Sequence, residues 1–474
     1  MDLEGFAKQK LRESAKEEEI IAEMSSRIME IKRNRIIRED AEALSRAILE
    51  EAKRTIDLKD DIFTEIKSGV RMGEFGVGSR GMGDFYAHEK IGEIIGATSA
   101  VVDSTSLSDS GVVRLPIEGK RKKDDAGKGK GEREGKEKFV VVTVDGMHSR
   151  LSDFPFLAGF HVARAALRDV YVMGATPVAL FSDIHVADDG DVAKIFDHIA
   201  GISTVSDAAD IPLVTGSTLR IGGDVVIGER MTGCVGAVGV ADAVLSREGA
   251  KEGDVILMTE GAGGGTISTA ALYYGEPEVV KETLNINFLR ACNALINADM
   301  VRRVHTMTDV TNGGIRGDAN EIAKVAVVKL VFYEERVRGL VNEQVLGMLE
   351  RHEIDYLGVS LDALLIISPE AIAEDVKKVV RSEGVRIEEV GRVESGKGAE
   401  IVVDGERKNF IPKFRESAYT PVKKVVGESS IENFEEMKRK VDKAVVEAIY
   451  KRNKVIKMLE EKEGGNQKRE ARRK

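Results

Sequence analysis

Residues 139–151 read FVVVTVDGMHSRL, a run of apolar and β-branched residues that stops at Asp145 and Gly146. A run of this kind, bounded by a turn signal, predicts a buried strand. A carboxylate at the end of such a strand, beside a glycine, lies in a crevice with backbone amide groups nearby. The pattern therefore predicts a phosphate or metal site at this strand end. The alternative is a simple turn, since DG is a common turn sequence.

Three further aspartates lie in local sequences of similar character. Asp109 is in SLSDSGVV, Asp169 is in ALRDVYVMGATP, and Asp309 is in HTMTDVTNGG. Proteins use clustered carboxylates beside glycine-rich turns to hold Mg²⁺ against a nucleotide polyphosphate. The four aspartates together therefore predict ATP chemistry.

Asp309 has the strongest local support. The residues Thr311, Asn312 and Gly313 follow it and combine hydroxyl and amide side chains with a glycine. Such a set binds a metal and offers amide N–H groups to an anion. The alternative is that Asp309 caps the helix that we predict to begin near Asp318.

Asp169 and His148 are also open to two interpretations. Apolar spacing predicts a helix around Asp169, whose carboxylate either faces inward or is solvated and pairs with Arg164 or Arg168. His148 follows Asp145 closely, where a general base or a substrate contact would lie. The alternative for His148 is a structural hydrogen bond in a turn.

The composition predicts a soluble, cytoplasmic protein. The chain has 474 residues, of which 42% are hydrophobic and 32% are charged, enough for more than one core. A net charge of -10 argues against nucleic acid or an anionic membrane as the general partner. The N-terminus lacks the apolar core of a signal peptide, and no run is long enough to span a bilayer. Two cysteines are too few for a disulfide framework.

Alternating strand and helix signals predict an α/β (α+β) fold with two domains and helical extensions. Glycine density at 69–84 excludes regular structure and predicts a mobile loop. The charged, low-complexity residues 118–138 predict a disordered insertion. The predicted segments are a helical extension at 1–68, the glycine-rich loop at 69–84, an N-terminal α/β domain at 85–243, a C-terminal α/β domain at 250–405 and a helical tail at 428–474.

At the four aspartates together, the sequence resembles the superfamily of aminoimidazole ribonucleotide synthetase. DGMHSRL is similar to the family's DGVGTKL, RDVYVMGATP to its NDI...GA.P element, and MTDVTNGG to TDVTGGG, while SDSGVV stands where the family has DDAAV. The superfamily also contains selenophosphate synthetase, thiamine monophosphate kinase and the hydrogenase-maturation dehydratase. The resemblance extends from about Phe85 to Val403.

The resemblance implies two domains, sheets that pair across a homodimer, and ATP with Mg²⁺ bound between the domains. By this analogy Asp109, Asp169 and Asp309 are metal ligands, and Asp145 helps to hold metal or phosphate. The implied nucleotide contacts are Gly146, Gly216, Ser217, Thr218, Thr311, Asn312 and Gly313.

The resemblance also suggests the residues that act on the substrate. The implied catalytic set is Asp145, His148, Arg150 and Arg80. Arg150 replaces the family's lysine, and Arg80 lies in a segment that folds over the phosphates in related enzymes. An arginine there neutralises transferred charge. The alternative for Arg80 is a solvated, flexible loop.

At several positions the sequence departs from the family pattern, and these departures argue against two of the family's activities. Ser217 replaces an acidic or imidazole group of the family, and Ser108 replaces the first carboxylate of an acidic pair. No cysteine lies near the glycine-rich loop or the C-terminus. This pattern argues against selenophosphate synthesis and against the thiol chemistry of the hydrogenase-maturation member.

These observations lead to two hypotheses of different classes. The first is a Mg-ATP-dependent enzyme that transfers the γ-phosphate to an oxygen of a small-molecule substrate, or uses it to activate that oxygen. The alternative is an ATP-binding regulatory or assembly protein that has lost turnover and docks a protein partner on its helical extensions. Nucleic-acid binding through the basic C-terminal end is disfavoured, because no aromatic residues interleave with the charge.

Overall fold

The structure, a computed structural model, describes residues 1–58, 62–78, 81–115, 137–311, 313–429 and 432–471. Side chains are described in these ranges except at 104 and 462–471. Arg80, Asn312 and nearly all of the predicted insertion at 118–138 lie outside the described residues.

Strands and helices alternate along most of the chain. The helices are α1 (Leu3–Arg12), α2 (Glu17–Lys32), α3 (Arg38–Thr55), α4 (Met72–Phe75), α5 (Met82–Ile95), α6 (Pro155–Val172), α7 (Ala193–Ala209), α8 (Gly265–Tyr274), α9 (Val280–Thr283), α10 (Asn287–Asn297), α11 (Gly314–Ala326), α12 (Glu334–Arg338), α13 (Glu343–Arg351), α14 (Ala373–Ser382), α15 (Pro421–Val426) and α16 (Phe434–Ala471). The strands are β1 (Gly111–Arg114), β2 (Phe139–Gly146), β3 (Thr176–Val186), β4 (Leu213–Arg220), β5 (Met231–Ala241), β6 (Asp254–Thr259), β7 (Thr306–Asp309), β8 (Lys329–Tyr333), β9 (Leu364–Pro369), β10 (Ile387–Glu394), β11 (Gly398–Val403) and β12 (Glu406–Asn409). They form two sheets, with the strand orders β1-β2-β5-β3-β4 and β12-β11-β8-β10-β6-β9-β7.

The first sheet has helices on one face. Strands β2, β5 and β3 are antiparallel neighbours, and β4 adds to β3 in parallel at the edge. Val141 of β2 is fully buried beneath α6, whereas Val142 and Val144 on the other face are 41% and 62% exposed. Within a single chain, β2 is therefore buried on one face, as predicted, and exposed on the other, where the prediction is wrong.

The seven-stranded sheet is packed on both faces. Along β6, Val255 and Leu257 belong to a hydrophobic cluster that continues into the core under the first sheet. The alternate residues Ile256 and Met258 belong to a second cluster, formed with residues of α8, α11 and α13. Because successive strand residues point to opposite faces, this sheet joins both cores. The two halves of the fold therefore share one continuous interior.

Helices α6 and α7 pack closely because each has a glycine at their contact. A Cβ on Gly159 would lie 2.1 Å from the carbonyl oxygen of His198, and a Cβ on Gly201 would lie 2.1 Å from that of Phe156. Only a residue without a Cβ allows the two backbones to approach so closely. This contact fixes α7 against α6, which carries Asp169.

Gly159→Ala is expected to destabilise the protein by about 1–3 kcal/mol, because α7 must move away from α6. Gly347→Ala is the matched control, since a Cβ at this position in α13 would meet only the end of the Arg351 side chain, at 3.2 Å. There alanine is the better helix former, and a gain of about 0.5–1 kcal/mol is expected. Urea denaturation of both variants measures the difference. Equal stability of the two would contradict the packing argument.

The N-terminal helices form a small bundle docked on the first domain. The buried apolar residues of α1, α2 and α3 pack together and against Ile227, which precedes β5. Lys32, at the end of α2, pairs with Asp188 at 2.5 Å and with Asp189 at 2.9 Å. The N-terminal ammonium of Met1 donates to the Ile227 carbonyl at 2.6 Å. Apolar and charged contacts together hold this extension in place.

The glycine-rich segment at 69–84 is partly helical. It contains α4 and the start of α5, so the predicted absence of regular structure is wrong at those residues. A Cβ on Gly83 would lie 1.9 Å from the carbonyl oxygen of Phe75. These glycines therefore allow close backbone packing. Phe75 in turn packs with Phe414 and Phe434 in one apolar cluster.

Helix α16 follows the second sheet in the chain and packs against α4 and α5. Its first turns bury Phe434 and Met437, and Asp442 accepts a hydrogen bond from the Tyr86 hydroxyl at 2.5 Å. Asp442 also pairs with Lys90 of α5 at 3.0 Å. Neither α16 nor any other helix of the described residues is long and apolar enough to cross a membrane.

Candidate functional site

A cavity of about 800 Å³ is lined by residues from both halves of the fold. Its walls come from β2, α5 and α6 of the first half, and from β7, α8 and α15 of the second. Ligand pockets in proteins span roughly 300–1,000 Å³, so this one lies in the upper part of the range. The cavity has room for a ligand of nucleotide size and a second, smaller molecule.

The four aspartates chosen from the sequence all line this cavity. Asp145 is close to the end of β2, Asp309 is the last residue of β7, Asp169 is on α6, and Asp109 precedes β1. Both alternatives for the strand-end residues are wrong. Asp145 belongs to β2, and Gly313, not Asp309, is the N-cap of α11.

Asp169 is half-buried and faces the cavity. The Thr143 hydroxyl donates to its carboxylate at 3.0 Å. Arg164 and Arg168 pair with Asp362. The alternative of a solvated Asp169 paired with one of these arginines is therefore wrong.

Burial and mutual repulsion raise the pKa values of these carboxyls. For Asp169, burial raises the pKa most, and the charges of the other three aspartates raise it further, to well above its ordinary value. For Asp309, burial outweighs the lowering effect of Arg168 and brings the pKa to about 6. Carboxylates that repel one another inside a fold are stabilised by a bound cation.

The ligand-free protein is expected to lose stability as the pH rises through about 6, because Asp309 must ionise inside the fold. A carboxyl with a raised pKa in the folded state contributes stability below its unfolded pKa, and this contribution is lost as the pH rises through the folded pKa. Asp169→Asn removes a second such carboxyl, so we expect a higher melting temperature near neutral pH and a flatter pH profile. Thermal melts between about pH 4.5 and 8 measure this. A lower melting temperature for the variant at neutral pH would contradict it.

The buried Arg168 holds two of the site's carboxylates. Its Nε donates to Asp309 at 3.0 Å, and its guanidinium also pairs with Asp362. Arg164 binds the same Asp362 at 2.5 Å and donates to the backbone oxygen of Gly263 at 2.9 Å. Burial raises the pKa of Asp362, but the two arginines outweigh it and lower the pKa to about 2. Asp362 is therefore ionised, and it ties the two arginines together.

A second buried arginine, Arg247, holds Asp109. The two groups lie 2.7 Å apart, and the Thr308 hydroxyl donates to the same carboxylate at 3.0 Å. Arg247 also pairs with Asp318 at 3.1 Å and with Glu321. Burial still keeps the pKa of Asp109 above its ordinary value, although Arg247 lowers it. One guanidinium thus neutralises part of a three-carboxylate cluster.

The donor set fits Mg²⁺ that is bound together with phosphate. Among the described residues, no group of three or more His, Cys, Asp or Glu side chains is arranged to hold a metal ion unaided. Mg²⁺ is usually held by one or two carboxylates, with phosphate oxygens and waters as the other ligands. Asp169 and Asp309, whose pKa values are raised, suit that mode of binding. Asp145 faces the same space.

Other residues chosen from the sequence also lie at the cavity. Gly146, His148, Arg150 and Thr311 line it. The ring of His148 hydrogen-bonds through Nε2 to the Tyr419 hydroxyl at 2.8 Å, and its Nδ1 lies 3.1 Å from the Thr269 hydroxyl. These two contacts hold the His148 ring at the cavity wall.

The predicted nucleotide contacts Gly216, Ser217 and Thr218 do not lie at this cavity. They belong to the edge strand β4, where they are exposed and pair with 182–184 of β3. Strands β5 and β3 lie between β4 and β2, which places β4 roughly 14 Å from the strand that carries Asp145. Within one chain these three residues therefore lie away from the cavity, because the order of strand pairing decides which strand borders it.

The sequence suggested Arg164 and Arg168 only as alternative partners of Asp169, and it gave no indication of Arg247 or Asp362. Arg168 carried one usable signal, since it is a charged residue in a helix that is otherwise apolar except for His161, Arg164 and Asp169. Arg247 and Asp362 lie in no distinctive local motif. Their partners are distant in sequence, so only the tertiary structure reveals them.

The fold and this cavity define a two-domain α/β protein of a known class. Residues 123–241 match the family model described as AIR synthase related protein, N-terminal domain, and residues 251–404 match its C-terminal domain. The chain belongs to the AIR synthase related protein family. The resemblance stated from the motifs and the predicted fold class are therefore confirmed.

Relatives differ in how much of the chain they cover. An uncharacterized protein of Methanocaldococcus jannaschii is 50% identical over 474 residues, which cover 98% of this chain and 99% of that protein. A selenide, water dikinase of Myxococcus xanthus is 30% identical over 201 residues, which cover 42% of this chain and 55% of the dikinase. The match to this enzyme thus spans about half of its length.

Two solved structures have the same fold. A chain of the HypE-HypF complex aligns with a TM-score of 0.52 at 18% identity, over 68% of this chain and 98% of that chain. AaThiL complexed with AMPPCP and TMP aligns with a TM-score of 0.50 at 17% identity, over 72% of this chain and 98% of that chain.

Proposed function

We propose that this protein is a Mg-ATP-dependent enzyme that transfers the γ-phosphate to an oxygen of a small-molecule substrate, or uses it to activate that oxygen. One observation carries the proposal. Asp109, Asp145, Asp169 and Asp309 come from separate parts of both domains and line one large cavity, and burial, with added repulsion from neighbouring carboxylates, raises the pKa values of Asp109, Asp169 and Asp309. A cluster of this kind favours a cation that arrives with a polyphosphate.

The proposed roles follow from the contacts of each side chain. Asp169 and Asp309 would hold Mg²⁺, with Asp145 beside them, and the ion would neutralise charge on the phosphates. Thr143 orients Asp169 through its hydrogen bond, and Arg168 orients Asp309. Gly146 leaves space beside Asp145, because nothing lies within 4 Å of a Cβ built there.

We also propose that Arg80 acts on the substrate and that Asn312 contacts the nucleotide. The segment boundaries predicted from the sequence and the homodimer are part of the same proposal. Val142, Val144 and Val178 are exposed on the open face of the first sheet. A second copy of the chain would cover this apolar face.

The names of similar proteins support the use of ATP. One relative is a selenide, water dikinase, and one structural neighbour was solved in complex with AMPPCP.

A second candidate is an ATP-binding regulatory or assembly protein that has lost turnover. Asp309 already pairs with Arg168, and Asp109 pairs with Arg247. The two arginines therefore neutralise part of the negative charge that would otherwise favour metal ions. The docked helices α1 to α3 offer a surface for a protein partner, and one structural neighbour was solved in a complex with another protein.

Calorimetry and product assays separate the two candidates. The enzyme hypothesis expects Mg-dependent binding of ATP and release of ADP with at least one member of a panel of small metabolites. The second candidate expects the same binding without ADP release. Failure to bind ATP with Mg²⁺ would overturn both.

A further inference from the structure

Basic side chains outside the aspartate cluster also line the cavity, namely His148, Arg150 and Lys423. His148 links this group to the aspartates, because it lies on the loop that follows Asp145 and contacts the start of α8. A Cβ on Gly265 would lie 3.1 Å from the Cβ of His148. Arg150, on the same loop, lies 4.3 Å from the ring centre of Tyr273 in α8. The loop and the helix therefore form one wall.

The first turn of α8 faces this wall without a cap. Gly264 is its N-cap residue, and within the described part of the chain no side chain caps the helix through a hydrogen bond. The uncapped N–H groups at the start of a helix attract anions. The Asp362 carboxylate approaches Gly264, but Arg164 and Arg168 both neutralise it.

Thr266 is an independent sign of a ligand at this point. The residue lines the cavity and is 1% exposed, yet its hydroxyl has no hydrogen-bond partner in the described part of the chain. A buried hydroxyl without a partner costs about 1–3 kcal/mol. A group with hydrogen-bonding oxygens would satisfy it. The Nε of Arg150, also at the cavity, is a second buried donor without a partner among these residues.

The segment after the family domains contributes to the wall of the cavity. Residues 405–429 follow the matched C-terminal domain, and Tyr419 and Lys423 of this segment line the cavity. The Lys423 ammonium lies 4.7 Å from the ring centre of Tyr419, whose hydroxyl hydrogen-bonds to His148. Buried Glu416 pairs with Arg316 of α11 at 2.7 Å and anchors the segment.

We propose that the first turn of α8, Thr266, Arg150 and Lys423 form a subsite for an oxyanion group of the substrate. The proposal rests on the proposed function and deepens it, since it assigns the substrate to the small molecules that carry a phosphate or a carboxylate. The opposite charges of the aspartates and of these basic side chains keep the metal-bound nucleotide and the substrate anion in separate places. Tyr419 positions His148 at the boundary between them.

Calorimetry with inorganic phosphate and with acetate tests the subsite. The protein is first saturated with Mg²⁺ and AMPPCP, so that the nucleotide position is filled, and each anion is then titrated. Binding of phosphate indicates a phosphorylated substrate, and binding of acetate alone indicates a carboxylate. Lys423→Met and Thr266→Val are expected to weaken anion binding, by about tenfold for the charged group. The affinity for AMPPCP should change little.

Lys424→Met is the matched control, because Lys424 is an exposed neighbour that donates to the His352 carbonyl, and it should bind the anion like the wild type. Absence of binding for both anions, or equal binding by wild type, Lys423→Met and Thr266→Val, would overturn the subsite. If AMPPCP itself does not bind, the proposed function fails, and the same anion titrations on the nucleotide-free variants still decide the subsite.

Discussion

Asp309→Asn is expected to lower Mg-dependent turnover of ATP by about 10²–10³-fold, because it removes one charged ligand from the proposed metal position. The substitution keeps the shape of the side chain. The buried Arg168 retains Asp362 as a partner, so the fold should persist. ADP release is measured with saturating Mg²⁺ and the metabolite that gives the highest rate with wild type.

The control for this experiment is Asp375→Asn. Asp375 is exposed on α14 and pairs with Arg303 at 2.9 Å, outside the cavity. It should turn over ATP like the wild type. Equal rates for Asp309→Asn and wild type would remove Asp309 from the proposed metal site. A folded variant that binds Mg²⁺ and ATP as tightly as wild type would do the same.

Arg168→Met is expected to reduce the free energy of unfolding by about 3–5 kcal/mol, because it leaves buried carboxylates without their shared partner. Arg168 is 4% exposed and bridges Asp309 and Asp362, which belong to the other domain. Burial lowers the pKa of its guanidinium, but the two carboxylates outweigh this and raise it. The loss should therefore exceed that of any surface pair.

Arg303→Met provides the comparison, since its exposed pair with Asp375 should contribute only about 0–1 kcal/mol. Urea denaturation followed by circular dichroism gives both values. The double variant Arg168→Met with Asp309→Asn should recover part of the loss, because one of the unpaired charges is then absent. A loss no larger than that of Arg303→Met would show that Arg168 does not hold the domains together.

The buried carboxylates at the cavity affect both the proposed metal binding and the stability of the protein. Arg168 and Arg247 stabilise Asp309 and Asp109 in the ligand-free protein, yet burial keeps the pKa values of Asp109, Asp169 and Asp309 above their ordinary values. A ligand that binds only the folded protein and compensates these buried charges increases its stability. The Asp169→Asn variant should therefore be more stable without ligand and less responsive to Mg²⁺ with ATP.

Much of the secondary structure follows from local patterns. The apolar run of residues 139–144 forms β2, and the apolar spacing around Asp169 belongs to α6. Element ends were less predictable. Strand β3, for example, extends over Thr176–Val186, because its pairing with β5 continues to both of its ends. The glycines of 69–84 indicated a loop, but several of them serve close backbone contacts that no local pattern reveals.

The sequence by itself determined the family, the α/β fold class and the four aspartates, because each rests on a short motif in which neighbouring residues carry the signal. Only the tertiary structure decided which other groups meet those aspartates. Arg168, Arg247, Asp362, Thr266 and Lys423 reach the cavity through strand order, helix packing and a segment that returns from the C-terminal side. The edge position of β4 likewise removed 216–218 from the cavity. Charge pairing between residues far apart in sequence depends on distance in space, and distance in space is set by the packed core.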